Sequence, residues 1–176
     1  EDSGHPADRK VHLEKFQMCY KNVRANHAKI ASIFVDFSDR NRDVELVLDF
    51  VCFLLYSQDL SEASDPQKYE DAVSVVGDPK VTQLFQSEDK DAHRGRLYEL
   101  LFNLAVSKFQ AQEFRTAQRV FQTCLIYSSL SESGEDKANT AKVLRCLALV
   151  LCNQEEPEKV IDHLKAAKDL EPENIL

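Results

Sequence analysis

One pattern of apolar and small residues occurs twice near the C-terminus, and this repeat constrains the fold more than any other feature. The clearer copy runs from Ala141 to Asn174 and the looser copy from Tyr98 to Ser131, so the two starts are 43 residues apart. The shared positions are Leu101, Leu104, Ala105, Phe114, Ala117, Phe121 and Leu125 in the first copy, and Leu144, Leu147, Ala148, Leu151, Val160, Leu164, Ala167 and Pro172 in the second. Their spacing of three and four is the period of a helix. Each copy therefore predicts a helical hairpin that must stack on neighbours to bury its apolar faces.

This pattern resembles the tetratricopeptide repeat (TPR), a helical hairpin of about 34 residues. The resemblance implies an all-α fold, a TPR-like right-handed helical-hairpin solenoid, in which the first helix of each hairpin lines a groove. The residues implied to point into the groove are Glu99, Phe102, Val106 and Phe109 from the first copy and Lys142, Arg145, Leu149 and Cys152 from the second. They give an apolar floor with a basic corner. Such a groove suits a helix or an extended peptide with apolar anchors and an acidic flank.

Two other occupants of this floor remain open. The chain's own N-terminal helices or a continuing solenoid could fill it, because exposed aromatic residues are usually covered. We expect the solenoid to continue past Leu176 in a longer protein, because Ile161, Leu164 and Leu170 would otherwise lack a covering helix.

A second resemblance concerns residues 97–129 and 142–174. These runs are similar to the central repeats of the meiotic crossover scaffold family, the large tetratricopeptide members of the ZMM group. The similar features are a helix with Asn103, Ala105 and Phe109, a long link between hairpins, and an acidic, proline-containing end. They cover about half of the chain, and most are also generic repeat positions. The resemblance implies a nuclear, noncatalytic scaffold that joins crossover factors to chromosome-axis and synaptonemal proteins.

Other functions of a helical repeat protein remain as alternatives. One is a cytoplasmic co-chaperone or transport adaptor, and another is a regulatory helical domain of an enzyme complex. Asn103 and Lys142 match two positions of the carboxylate clamp in chaperone-binding tetratricopeptide domains. Cys146 stands where the clamp arginine belongs, which argues against the clamp.

The residue types that commonly form catalytic, metal or cofactor sites show no pattern typical of such a site. The sequence therefore predicts no catalytic residue, no metal site and no cofactor. The four glycines are isolated and the five histidines are far apart, so no phosphate loop or zinc helix is indicated. His27 lies on an apolar face, where a hydrogen-bonded core histidine is the simpler interpretation. A net charge of −8 disfavours direct nucleic-acid binding. Five unpaired cysteines in apolar runs fit a reducing intracellular compartment, nuclear or cytoplasmic, and no run is long enough for a membrane span.

The rest of the chain is predicted to contain four regions. Residues 1–8 form a disordered end and residues 9–60 form N-terminal helices, with 9–37 as one long helix or two in line. Residues 61–90 form an irregular connector with a short helix beginning at Pro66 and another reaching Gln86. Residues 91–176 form the two hairpins.

Overall fold

The structure, a computed structural model, describes residues 6–22, 26–56, 66–130, 133–154 and 157–171. These residues form nine α-helices and the 3₁₀ turn Glu88–Lys90, with no strand among them. The helices are α1 (Pro6–Asn22), α2 (His27–Asn41), α3 (Val44–Tyr56), α4 (Pro66–Gly77), α5 (Pro79–Leu84), α6 (Asp91–Gln110), α7 (Phe114–Ser128), α8 (Gly134–Cys152) and α9 (Pro157–Leu170). The predicted all-α class is confirmed. The chain divides into two compact units, Glu1–His93 and Arg94–Leu176.

The first unit is built around α3, which is apolar on most sides, as its sequence predicts. Phe50 of α3 is fully buried and stacks on Phe34 of α2 with ring centroids 4.0 Å apart. Phe16 of α1 contacts both Phe34 and Phe37 of α2 at 5.0 and 5.4 Å. At the two ends, His12 of α1 contacts Phe37 of α2 and Tyr20 of α1 contacts His27 of α2. Helices α1 and α2 therefore pack side by side and run in opposite directions. The prediction of one long helix, or two in line, over residues 9–37 is therefore wrong.

A buried polar contact joins α1 to α4 within the first unit. The Tyr20 hydroxyl donates to Asp71 Oδ2 at 2.6 Å, and both side chains are buried. The His27 ring stacks on the Tyr20 ring at 3.9 Å, and its Nε2 lies 2.9 Å from the Tyr20 backbone oxygen. His27 is thus a buried, hydrogen-bonded core histidine, as the sequence predicts.

Helices α4 and α5 are packed elements of the first unit. Both lie against α2, and α4 also lies against α3, with Val76, Val81 and Phe85 fully buried. The helix beginning at Pro66 is confirmed, and Asp78 caps α5 by accepting from the backbone NH of Lys80. The description of residues 61–90 as an irregular connector is corrected for residues 66–90, because apolar burial holds these helices in place. Residues 61–65 lie outside the described residues.

The N-terminal end also differs from the prediction. Residues 1–8 were expected to be disordered, but α1 begins at Pro6, a position where proline's missing NH has no helical partner. Residues 1–5 lie outside the described residues.

The second unit contains two helical hairpins related by the predicted spacing. Adding 43 to the bounds of α6 and α7 gives 134–153 and 157–171, within one residue of α8 and α9. Helices α6 and α8 have 20 and 19 residues, so the long link between hairpins is absorbed mainly by longer helices. Pro157 begins α9, and Pro172 lies outside the described residues.

Candidate protein-binding surface

The first hairpin is held by aromatic contacts between α6 and α7. Phe102 meets Phe121 with ring centroids 5.6 Å apart, and Phe109 meets Phe114 at the same distance. Ala105 and Ala117 are fully buried, which fits a close approach of the two backbones. Because the hairpin core is closely packed around these small side chains, a longer side chain at either position would not fit.

The turn of this hairpin explains why α6 stops at Gln110. Gln112 has a φ of 62°, a left-handed conformation that ends a helix, and the NH of Glu113 bonds the carbonyl oxygen of Lys108. The Lys108 ammonium also pairs with Glu113 at 3.1 Å. The chain then re-enters helix at Phe114 in the opposite direction.

The second hairpin begins with a capped helix and closes on small residues. The Ser133 hydroxyl accepts from the backbone NH of Asp136 at 3.0 Å, which caps α8. Ala141, Leu144 and Ala167 form a buried cluster between α8 and α9, and Leu125 of α7 packs on it. The two hairpins of this unit therefore share a core.

Two contacts place α6 and α8 next to each other in the same direction. Near the start of both helices, Arg94 pairs with Asp136 at 3.4 Å. Further along, the Lys142 ammonium lies over the Phe102 ring, 4.2 Å from its centroid. The second contact lies nearer the C-terminal end of both helices than the first contact does. The first helices of the two hairpins therefore run parallel. Side chains on their shared outer side form one surface.

The residues predicted for partner binding have different degrees of exposure. Glu99, Lys142 and Leu149 are exposed, with Leu149 57% accessible. Phe102, Val106, Phe109 and Arg145 are half-buried. We call the set of Glu99, Phe102, Val106, Phe109, Lys142, Arg145 and Leu149 the inner surface. Of its members, the structure brings Lys142 and Phe102 into direct contact, as a cation over an aromatic face.

The predicted basic corner is smaller than the sequence suggested. Arg145 Nη2 donates to Glu171 Oε2 at 2.8 Å, and both side chains are about four-fifths buried. This intramolecular carboxylate neutralises Arg145. Lys142 appears in no ion pair among the described residues and is the cation that the inner surface presents. The sequence did not identify Glu171 as a partner, because the register between two helices decides which acid an arginine meets.

Buried thiols and a phenol lie behind this surface. Burial raises the pKa of the Cys124 thiol, and it also raises the pKa of the Cys146 thiol, which is less deeply buried. Both thiols are therefore protonated near neutral pH. Burial also raises the pKa of Tyr98, whose hydroxyl has no hydrogen-bond partner in the described part of the chain. Protonated thiols are poor nucleophiles and poor metal ligands. Among the described residues, no three His, Cys, Asp or Glu side chains group as metal ligands.

Arg94 is a structural residue that the sequence pattern does not single out. It is 3% exposed, and its ion pair with Asp136 links the starts of α6 and α8. Its only sequence signal is the position three residues before Leu97, on the apolar side of α6.

Comparisons of the chain with protein-family models, with curated proteins and with solved structures found no match. None of the helices in the described ranges is long and apolar enough to cross a bilayer.

Proposed function

We propose that this chain is a noncatalytic scaffold for protein–protein interaction, with the two hairpins as part of a TPR-type right-handed solenoid. The equal spacing of α6 and α8, and of α7 and α9, supports a repeated unit. The parallel first helices support a shared surface along one side of the repeats. A surface of this kind binds by shape and charge and needs no reactive group.

The observation that carries this proposal is the exposed Leu149, two helical turns beyond Lys142 on the same side of α8. Single exposed apolar residues are common, but this one shares a side with half-buried Phe102 and Val106 across the parallel helix. The arrangement offers apolar contact area next to one unpaired ammonium group. A helix or extended peptide of a partner would place apolar side chains on Leu149 and Val106.

Lys142 sets the expected charge of the partner. Its ammonium lies over the Phe102 ring, where it can pair with a carboxylate while keeping the ring contact. Arg145 contributes less positive charge to the inner surface, because it is already paired with Glu171. The bound segment is therefore expected to carry one acidic residue close to its apolar anchors.

Peptide-display selection against the full chain tests this function. We expect sequences with apolar anchors and an acidic residue to be enriched on the natural chain and lost on Leu149→Glu, because a carboxylate there repels the acid and removes the apolar contact. Ile126→Glu is the matched control, since Ile126 is an exposed apolar residue of α7 outside the inner surface. Equal enrichment on Leu149→Glu, or loss on Ile126→Glu, would contradict the proposed surface.

A finer proposal is that the scaffold acts in meiotic crossover formation inside the nucleus. Its support is the resemblance of residues 97–129 and 142–174 to the repeats of that scaffold family, together with the 43-residue spacing of the hairpins. Its test is the position of the tagged protein in meiotic cells of the source organism. Foci along chromosome axes support it, and a uniformly cytoplasmic signal refutes it.

A further inference from the structure

Equivalent residues of the two hairpins differ strongly in the solvent exposure of their side chains. Phe121 of α7 is 2% exposed, whereas its equivalent 43 residues later, Leu164 of α9, is 40% exposed. Ile161, one turn earlier on α9, is 52% exposed. The first hairpin is covered by α8, which packs closely on α7. No described helix takes the same place on the second hairpin.

The way α8 covers the first hairpin shows what chemistry such a face accepts. Asp136, in the first turn of α8, pairs with the buried Arg94. Further along α8, Ala141 and Leu144 pack against Leu125 of α7. The covering helix thus supplies an acid near its N-terminus and small or apolar residues after it. An acid in that first turn is also favoured by the helix dipole.

The same positions on the second hairpin carry cations. The equivalent of Arg94 is Lys137, and the equivalent of Leu125 is Lys168. Both lysines are exposed, and neither belongs to an ion pair in the described part of the molecule. This face therefore combines two exposed aliphatic side chains with two lysines. The residues equivalent to these lysines in the first hairpin, Arg94 and Leu125, contact α8. We call Lys137, Ile161, Leu164 and Lys168 the terminal face.

We propose that the terminal face binds an amphipathic α-helix of a partner protein, packed as α8 packs on the first hairpin. The bound helix carries an acid in its first turn to meet Lys137 and apolar residues to cover Ile161 and Leu164. A second acid, at the place where α8 has Ala141 and Leu144, meets Lys168. This surface is separate from the inner surface and does not depend on the proposed function of that surface.

Charge selects a partner helix over a second copy of this chain. A two-fold dimer uses the same patch on both molecules, so each lysine of the terminal face would lie near lysines of the other copy. Like charges placed together across an interface weaken binding strongly. An acidic helix removes that repulsion and buries the same apolar area.

A designed peptide probe tests the proposal with the full chain. The probe has 19 residues, the length of α8, with glutamates in its first turn and at the position of Ala141, and apolar residues at the positions of Val143, Leu147 and Val150. Its binding is followed by fluorescence anisotropy. We expect saturable binding that weakens with added salt. Leu164→Lys should weaken it by roughly tenfold or more, because its ammonium group replaces the central apolar contact and lies against apolar residues of the probe with no acid opposite it.

A charge swap and two controls decide the outcome. Lys137→Glu should weaken the acidic probe by about tenfold, and a probe with lysines in its first turn should bind that variant better than the natural chain. Arg115→Glu on α7 and Lys29→Glu on α2 change exposed cations outside both named surfaces and should leave binding unchanged. The proposal is overturned by an absence of saturable binding, or by equal binding to Leu164→Lys. Concentration-dependent dimers that Leu164→Lys abolishes, without probe binding, would assign the face to a second copy instead.

Discussion

Leucine-to-alanine changes at Leu147 and Leu164 provide a matched pair of perturbations. Both residues belong to the second hairpin, but Leu147 is 1% exposed and Leu164 is 40% exposed. Removing the three outer carbons of a buried leucine loses roughly 2.4 kcal/mol of transfer free energy, at about 0.8 kcal/mol per carbon. A residual cavity at Leu147 raises the total loss to about 3–5 kcal/mol.

The smaller loss at Leu164 follows from its exposure. With two-fifths of the side chain in water, the transfer loss falls to about 1.5 kcal/mol, and water fills the space that the leucine leaves. The two variants should therefore differ by roughly 2 kcal/mol in the free energy of unfolding. Urea denaturation followed by circular dichroism measures this difference, and hydrogen exchange in α8 assigns it to the second hairpin.

An equal loss for the two variants would refute the reasoning. It would mean that Leu164 is covered in the folded protein in solution. The terminal face would then not be free to receive a partner helix. A loss below about 1 kcal/mol for Leu147→Ala would instead mean that the hairpin core is not packed as described.

Three further predictions concern the second unit. Tyr98→Phe should raise the free energy of unfolding by about 1 kcal/mol, because it removes a buried hydroxyl that has no partner; a loss measured by urea denaturation would mean that the hydroxyl is bonded. Ala117→Arg should cost about 3 kcal/mol or more through overpacking and charge burial, and an unchanged melting curve would contradict the assigned hairpin contact. Arg145→Glu should lower the melting temperature more than Lys142→Glu, because it sets two carboxylates together at Glu171; equal melting temperatures would mean that this ion pair does not form in solution.

The helical class and the two hairpins of α6 to α9 could be predicted because their signals are local. The apolar period and the small residues lie within each hairpin, so a repeated pattern was enough to place the hairpins. A local signal also placed the start of α4 at Pro66.

The arrangement of the first unit could not be predicted in the same way. Residues 23–25 contain no glycine or proline, so the apolar period of α1 continues into α2 without a stop signal. The reversal between these helices follows from long-range contacts such as Phe16 with Phe34. Helices α4 and α5 were read as a connector because breakers surround them, although their valines are buried against α2 and α3.

The candidate site shows the same division between local and long-range information. The tetratricopeptide resemblance implies that Phe102, Val106 and Leu149 point into a groove, and the structure leaves them half-buried or exposed. The resemblance could not show that Arg145 meets Glu171, since that contact depends on how α9 returns along α8.

The affinity of one selected peptide for the natural chain and for Lys142→Glu, measured across a range of salt concentrations, tests the central claim most directly. The claim is that the inner surface binds acidic, apolar segments of other proteins. We predict that Lys142→Glu weakens binding by about tenfold at low salt, reduces its salt dependence, and is rescued by a lysine in place of the peptide's acid. Unchanged affinity and salt dependence in Lys142→Glu would contradict the claim and move the binding site to another face.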